Sequence, residues 1–244
     1  MKNILYSIII LLATSWFVAC DNVNSMHDKY LANGEKFYVG KVDSFKVYGG
    51  KNRAKFVVWV GDYRSTNLIV TRIDTSLKYN FKLSETNRTD SMVFYIDKLK
   101  EGSNILSWNT WNADGTVNSI PQGTSVTTWG ERFQTFLTNR KVVSVSYKAL
   151  FKAYTVTWDA NNVKEPSFST YALGHEINYA TASANDTLVQ VLYDPTALTT
   201  PPTSTKLPNY SVASGKIKYR MLFKPVATCV DTFRTEYSNF VVLP

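Results

Sequence analysis

Apolar and polar residues alternate with a period of two along most of the chain after residue 33, which predicts β-strands with one buried face. In residues 77–83, for example, four apolar residues alternate with Lys78, Asn80 and Lys82. Further strands are predicted at 45–47, 56–60, 92–96, 106–108, 142–145, 154–158, 177–180, 188–192 and 217–223. No helical period persists for three turns in the first half, so an all-β protein is expected.

The turns between these strands are marked by glycine, aspartate and asparagine. Turns are predicted at 49–50, 61–62, 100–102 and 112–115, and the last of these, Asn-Ala-Asp-Gly, is the strongest signal. Residues 199–206 contain two consecutive prolines at 201–202, and we predict an exposed loop there rather than a strand.

A repeat of about 100 residues relates the two halves of the chain. Trp59 and Trp158 each stand late in an early strand, and each has an aspartate within the next three positions. Short strands in such a repeat predict two tandem β-sandwiches of the immunoglobulin or fibronectin type III kind, spanning 34–135 and 136–244. Both tryptophans are expected to face the sandwich interiors.

The first twenty residues have the layout of a bacterial lipoprotein signal. Lys2 is followed by an apolar run at 4–18, and Ala19 precedes Cys20. Cleavage before Cys20 would leave residues 20–33 as a polar tether that carries lipid on the cysteine. The alternatives are a cleaved and released protein or a retained anchor; the run of about 15 apolar positions is shorter than the roughly 18 to 20 that a span needs.

Charge and cysteine content limit the function further. The chain has 27 Lys and Arg against 19 Asp and Glu, a net charge of +8, but these residues are spread along alternating strands without a run of five. Such spacing indicates solvated faces, and no nucleic-acid partner is expected. With Cys20 committed to lipid, Cys229 has no partner for a disulfide and is expected to be a free, buried thiol.

Catalytic motifs are absent from the sequence. The chain has two histidines, of which His27 lies in the tether, so the neighbours His175 and Glu176 are the one candidate for a base with an adjacent acid. Adjacent residues of a strand face opposite ways, so they are not expected to act together. No cofactor or metal motif is found, and the 112–115 segment is a hairpin turn rather than a calcium loop. A carboxylate pair for glycoside hydrolysis would be invisible in sequence.

Two tryptophans are candidates for ligand binding. If Leu106 and Trp108 face inward, Trp111 falls on the opposite face, just before the turn at 112–115. Trp129 lies near the predicted junction of the domains. An exposed indole can stack on a sugar ring or pack on a partner protein, whereas a buried one can join two domains, and both alternatives stay open for each residue.

The sequence resembles an uncharacterised lipoprotein family of Bacteroidetes, domain of unknown function 4998. The residues that carry the resemblance lie at 30–31, 34–35, 38–44, 50, 52–53, 59, 101–102, 114–115, 119–121, 129–134, 218–223, 225 and 231–233. The resemblance implies an envelope lipoprotein with fibronectin-like domains, often encoded among carbohydrate-utilisation neighbours, and brings no established active site.

These observations together predict a non-catalytic, lipid-anchored envelope protein without a cofactor. Its partners would be the membrane, through Cys20, and a polysaccharide that it holds for other proteins of the envelope. The alternative is a structural or adhesive module that binds another envelope protein. The outer membrane is the expected location, with the surface and periplasmic faces both open.

Overall fold

The computed structural model describes residues 38–75, 77–84, 89–148, 150, 153–159, 171–179, 187–193, 202–207, 216–239 and 241–242. The predicted signal peptide and tether, with Cys20, lie outside these residues. Within the described ranges, no helix has the length and apolar character needed to span a bilayer.

The first sandwich contains seven antiparallel strands in two sheets. They are β1 (Ser44–Gly49), β2 (Ala54–Trp59), β3 (Asn67–Arg72), β4 (Lys78–Lys82), β5 (Met92–Ile96), β6 (Gly102–Trp111) and β7 (Gln122–Thr128). The sheet orders are β1-β2-β5 and β4-β3-β6-β7. Buried side chains of both sheets, including Phe56, Leu68 and Trp108, form one hydrophobic core between them.

The second sandwich repeats this connectivity. Its strands are β8 (Val142–Lys148), β9 (Ala153–Trp158), β10 (Tyr171–Tyr179), β11 (Thr187–Leu192), β12 (Ser204–Leu207), β13 (Lys216–Lys224), β14 (Phe233–Arg234) and β15 (Val241–Val242). The sheet orders are β12-β9-β8 and β11-β10-β13-β14, and β15 also pairs with β13. In both halves the first, second and fifth strands form one sheet, which is a fibronectin type III-like arrangement. Trp158, Ile177 and Tyr219 lie in the second core.

A short helix follows β7 at the predicted boundary. Gly130 directly precedes helix α1 (Glu131–Thr135), and the carboxylate of Glu101 accepts hydrogen bonds from the backbone N–H groups of Arg132 (3.0 Å) and Phe133 (2.7 Å). This carboxylate satisfies donors that a helix leaves open at its first turn. Residues 39–244 form one compact unit. The boundary between 135 and 136 therefore stays a prediction.

The carboxylate of Asp231 connects the second half of the chain to the β1–β2 turn. Its Oδ2 atom accepts hydrogen bonds from the Lys51 backbone N–H (2.8 Å) and from Arg53 Nε (2.9 Å), and its Oδ1 atom binds the same guanidinium. The Arg53 hydrogen bond lowers the pKa of Asp231. A Cβ atom at Gly50 would lie 2.3 Å from Asp231 Oδ2, so glycine is needed for this close approach.

The prediction that Trp59 lies in the core is wrong. Ala54, Phe56 and Val58 are fully buried, which sets Trp59 on the other face of β2, where the Lys46 ammonium lies 5.9 Å from its ring centroid. Residues 56–60 are all apolar, so alternation could not determine whether the even-numbered or the odd-numbered residues face inward. The core tryptophan of the first sandwich is Trp108.

The prediction of a loop through residue 206 is also wrong, because β12 begins at Ser204. This strand pairs along its whole length with β9, and it buries Thr205 and Leu207 on one face. The two prolines precede the strand and do not interrupt its hydrogen bonds. Strands β3 and β7 and the five-residue helix α1 were not anticipated from the pattern.

We expect the Asp231→Asn variant to be less stable than the unaltered chain. The amide keeps the shape of the side chain but removes the charge that binds the Arg53 guanidinium. Because the Arg53 side chain is 39% exposed, solvent screening limits the loss of unfolding free energy to about 1–2 kcal/mol. Chemical denaturation measures the difference. Glu236→Gln, at an exposed carboxylate, serves as the control. Equal stability of the two variants would contradict a structural role for Asp231.

Candidate functional site

The outer face of the sheet β4-β3-β6-β7 carries a row of amide side chains beside an indole. Residues paired across antiparallel strands share a face, and Asn67 of β3 pairs with Trp111 of β6. One step further along the sheet, Ile69 pairs with Asn80 of β4 and with Asn109 of β6. We call Trp111, Asn67, Asn80 and Asn109 the amide platform.

Trp111 ends β6 and lies half-buried on this outer face, opposite to the buried Trp108 and Thr110. A cleft of about 320 Å³ opens next to its ring. The cleft is lined by Asn67, Ile69, Asn80, Trp111, Ala113, Asp114 and Gly115. The indole Nε1 of Trp111 is buried and has no hydrogen-bond partner in the described part of the chain. The sequence prediction for the orientation of Trp111 agrees with this position.

The turn that follows β6 forms one wall of the cleft. The side-chain oxygen of Asn112 accepts hydrogen bonds from the backbone N–H groups of Thr116 (3.0 Å) and Val117 (3.1 Å). Gly115 has φ of +67°, a conformation that favours glycine. The segment is therefore a hairpin turn whose backbone is held by the Asn112 side chain. No cluster of three or more potential metal ligands occurs among the described residues.

Trp129 occupies a different environment from Trp111. Its backbone N–H donates to Gly50 O (3.0 Å), its carbonyl accepts from Asn52 N–H (2.8 Å), and its half-buried ring packs on a small cluster. That cluster contains the buried side chains of Phe133, Cys229 and Phe233, with Leu137 and Val226 beside them. These contacts favour packing at the junction as the role of Trp129, and ligand contact by this residue stays a prediction.

A larger groove of about 650 Å³ runs along helix α1 and includes Glu131, Glu236 and Tyr237. Two of its polar side chains, Lys51 and Gln134, form hydrogen bonds in the groove. Lys51 Nζ donates to Gln134 Oε1 (2.7 Å), and Gln134 Nε2 donates to Arg234 O (2.8 Å). Because these groups already hold the two halves together, the groove is a weaker candidate for ligand binding than the cleft at Trp111.

His175 is fully buried in the second sandwich, so it cannot serve as a base for an external substrate. Its Nδ1 lies 2.7 Å from the Tyr193 hydroxyl and its Nε2 lies 2.8 Å from Thr205 Oγ1. Burial, with a further contribution from the nearby Arg140 guanidinium, lowers the pKa of His175 to about 4. The next residue, Glu176, instead binds Arg220 on the other face of β10. The side chains of His175 and Glu176 therefore lie on opposite faces of β10, which agrees with the prediction from alternation.

The two cysteines of the chain have separate positions. Cys229 is a free, buried thiol, which confirms the expectation from the sequence, and burial raises its pKa. Cys20, the predicted site of lipid attachment, lies outside the described residues. Sequence reasoning placed Trp111 on the outer face but did not bring Asn67, Asn80 and Asn109 beside it, because their proximity depends on strand register.

The fold defines the class of the protein, and a family model defines its family. The strand order makes it a tandem fibronectin type III-like β-sandwich protein. A family model, DUF4998, a domain of unknown function, matches residues 20–233, and the chain belongs to this family.

Among solved structures, the chain is similar to the FN1–FN3 domains of chicken CNTN1, with 14% identity over 85% of this chain and 68% of that chain, and a TM-score of 0.39. It is also similar to a segment of two fibronectin type III domains from chicken tenascin, with 13% identity over 83% of this chain and 99% of that chain, and a TM-score of 0.29. The comparison with curated proteins finds no match.

The buried histidine predicts a loss of stability in mild acid. The native state keeps His175 neutral down to about pH 4, whereas the unfolded chain takes up the proton near pH 6.5, so the free energy of unfolding falls as the pH drops through this window. The loss from this group approaches roughly 3 kcal/mol at the low end. Thermal unfolding at pH 7 and pH 5 should show a smaller difference for His175→Gln than for the unaltered chain. An equal difference would contradict the prediction.

Proposed function

We propose that this chain is a non-catalytic module that binds glycans on the amide platform. The observation that carries the proposal is the position of Trp111 next to Asn67, Asn80 and Asn109 on one open sheet face. An indole presents a flat apolar surface to the C–H face of a sugar ring, and each amide can both donate to and accept from sugar hydroxyls.

The unpartnered Trp111 Nε1 gives this platform a further reason to bind a polar ligand. A buried donor without an acceptor costs free energy, and a glycan hydroxyl that reached this N–H group would supply the missing acceptor. Asp114 lines the same cleft from the exposed turn and provides a carboxylate acceptor. The site thus combines stacking with hydrogen bonding, without using a titratable pair for chemistry.

Lipid on Cys20 would anchor the protein, and with it the bound glycan, at the cell envelope. In this proposal residues 1–19 are removed, residues 20–33 form the tether, and the two sandwiches project from the outer membrane. An acylated cysteine that carries more than one chain anchors stably, because each buried methylene contributes about 0.8 kcal/mol. Such a protein would concentrate polysaccharide for enzymes and importers of the same envelope. Binding of another envelope protein is the alternative function.

Replacement of Trp111 by alanine should abolish glycan binding. Affinity electrophoresis of the protein in gels that contain plant or host polysaccharides measures this binding as retardation. Trp59→Ala is the matched control, since Trp59 is a half-buried tryptophan on the outer face of the other sheet of the same sandwich. We expect at least one glycan to retard the unaltered chain and the Trp59 variant equally, and not to retard the Trp111 variant.

Two results would contradict this proposal. One is an absence of retardation of the unaltered chain across a broad panel of neutral and acidic glycans. The other is retardation that survives in Trp111→Ala and in a variant with Asn67, Asn80 and Asn109 replaced by alanine, which would place binding elsewhere. Thermal unfolding of each variant distinguishes loss of binding from loss of fold.

Replacement of Cys20 by serine should abolish lipid attachment. Cells that express the full chain can be fed an alkyne-bearing fatty acid, and incorporation is then read on the purified protein. Label is expected in the unaltered chain and in Cys229→Ala, whose altered thiol is buried, but not in Cys20→Ser. Equal label in Cys20→Ser, or no label in the unaltered chain, would exclude the proposed anchor.

A further inference from the structure

Strand β11 forms one edge of the second sandwich. It pairs antiparallel with β10 along its full length, from Thr187 to Leu192, and stands at the end of the sheet order β11-β10-β13-β14. No other strand of the described residues pairs with it. The backbone N–H and C=O groups that residues 188–192 direct away from β10 therefore have the geometry needed to accept another strand.

The composition of β11 differs from that of the equivalent edge in the first sandwich. Strand β4 occupies the same place in its sheet and carries two exposed lysines, Lys78 and Lys82, which discourage pairing with other chains. Strand β11 has no charged residue and no proline, and it exposes Leu188 (54%) and Leu192 (67%) on the outer face. Within the described residues, β4 therefore carries charges that oppose edge pairing, whereas β11 carries none.

The sequence of β11 specifies which strand would fit it. Residues 188–192 are Leu-Val-Gln-Val-Leu, which reads the same in both directions. An antiparallel pair centred on Gln190 therefore sets like residues opposite each other, with Leu188 facing Leu192, Val189 facing Val191, and Gln190 facing Gln190. Such self-complementarity is what a two-fold interface requires, since the same patch must serve both copies.

We propose that two copies of this chain associate by antiparallel pairing of their β11 strands about a two-fold axis at Gln190. The two five-stranded sheets then continue into one another, with leucine contacts on the outer face and paired glutamine amides between them. In the sequence, aspartates at 186 and 194 flank the segment. Pairing beyond it would oppose like charges, so the contact ends there.

The dimer would have a functional consequence that rests on the proposed glycan binding. Each copy carries one amide platform on its first sandwich, so a pair presents two platforms to the same polysaccharide. Bivalent attachment raises the apparent affinity without any new contact to the ligand. The pairing of β11 itself does not depend on glycan binding, and it can be tested without a ligand.

Single cysteines in the full chain, expressed in cells and mildly oxidised, test the register. Gln190→Cys should form a disulfide-linked dimer, because residues directly opposite lie about 4.5–5.5 Å apart. Leu188→Cys alone and Leu192→Cys alone should not, because equivalent residues are displaced by four positions, about 13 Å. Co-expression of differently tagged Leu188→Cys and Leu192→Cys chains should restore the product. The unaltered chain and Ser146→Cys, on the exposed edge strand β8, are the controls.

A charge exchange at the two-fold axis tests the same contact independently of folding. Adding Gln190→Lys to both tagged chains should reduce the Leu188→Cys and Leu192→Cys product about fivefold, since like charges directly opposite are destabilising. Lysine in one copy and glutamate in the other should restore it, which a misfolded variant could not do. A Gln190→Cys product no stronger than that of Ser146→Cys, strong self-linking of Leu188→Cys, or linkage of Gln190→Cys to a different protein would each overturn the proposal.

Discussion

The arrangement of the two sandwiches depends on the ion pair between Asp231 and Arg53. One carboxylate binds both the guanidinium and the backbone of the β1–β2 turn, and Gly50 permits the approach. Helix α1 and the cluster around Phe133 lie beside it. Several segments through which the sequence resembles its family meet here, namely 50, 52–53, 101–102, 129–134 and 231–233. These segments make the contacts between the two halves of the chain, whereas the resemblance at 114–115 falls on the turn that lines the cleft at Trp111.

Alternation of apolar and polar residues was sufficient to predict the all-β class and most strands, because in a strand with one solvent-exposed face every second residue is polar. The prediction of side-chain orientation failed where this alternation is absent. The uniformly apolar run at 56–60 left the orientation of Trp59 undetermined, and β12 is only four residues long. In β6, by contrast, the apolar residues Leu106 and Trp108 show that the even-numbered residues face inward. Trp111 could therefore be placed on the outer face from the sequence.

The neighbours of Trp111 could not be predicted in this way. Asn67, Asn80 and Asn109 belong to three strands, and the strand pairing that aligns them is set by packing across the whole sandwich. For Trp129, the sequence indicated a position near the predicted domain junction. Its packing near Phe133 and its backbone hydrogen bonds to Gly50 and Asn52 were seen only in the structure. A tryptophan in sequence is therefore ambiguous until its face and its neighbours are known.

In the proposed function, the outer face of the first sandwich binds glycans through Trp111. The indole N–H resonances of the ¹⁵N-labelled protein, followed during titration with a glycan that retards it, report on this contact. We expect the Trp111 indole resonance to shift, because its Nε1 gains a hydrogen-bond partner, while those of the buried Trp108 and Trp158 stay in place. Saturable binding that leaves the Trp111 resonance unchanged, or that shifts only the Trp129 resonance at the junction, would contradict it.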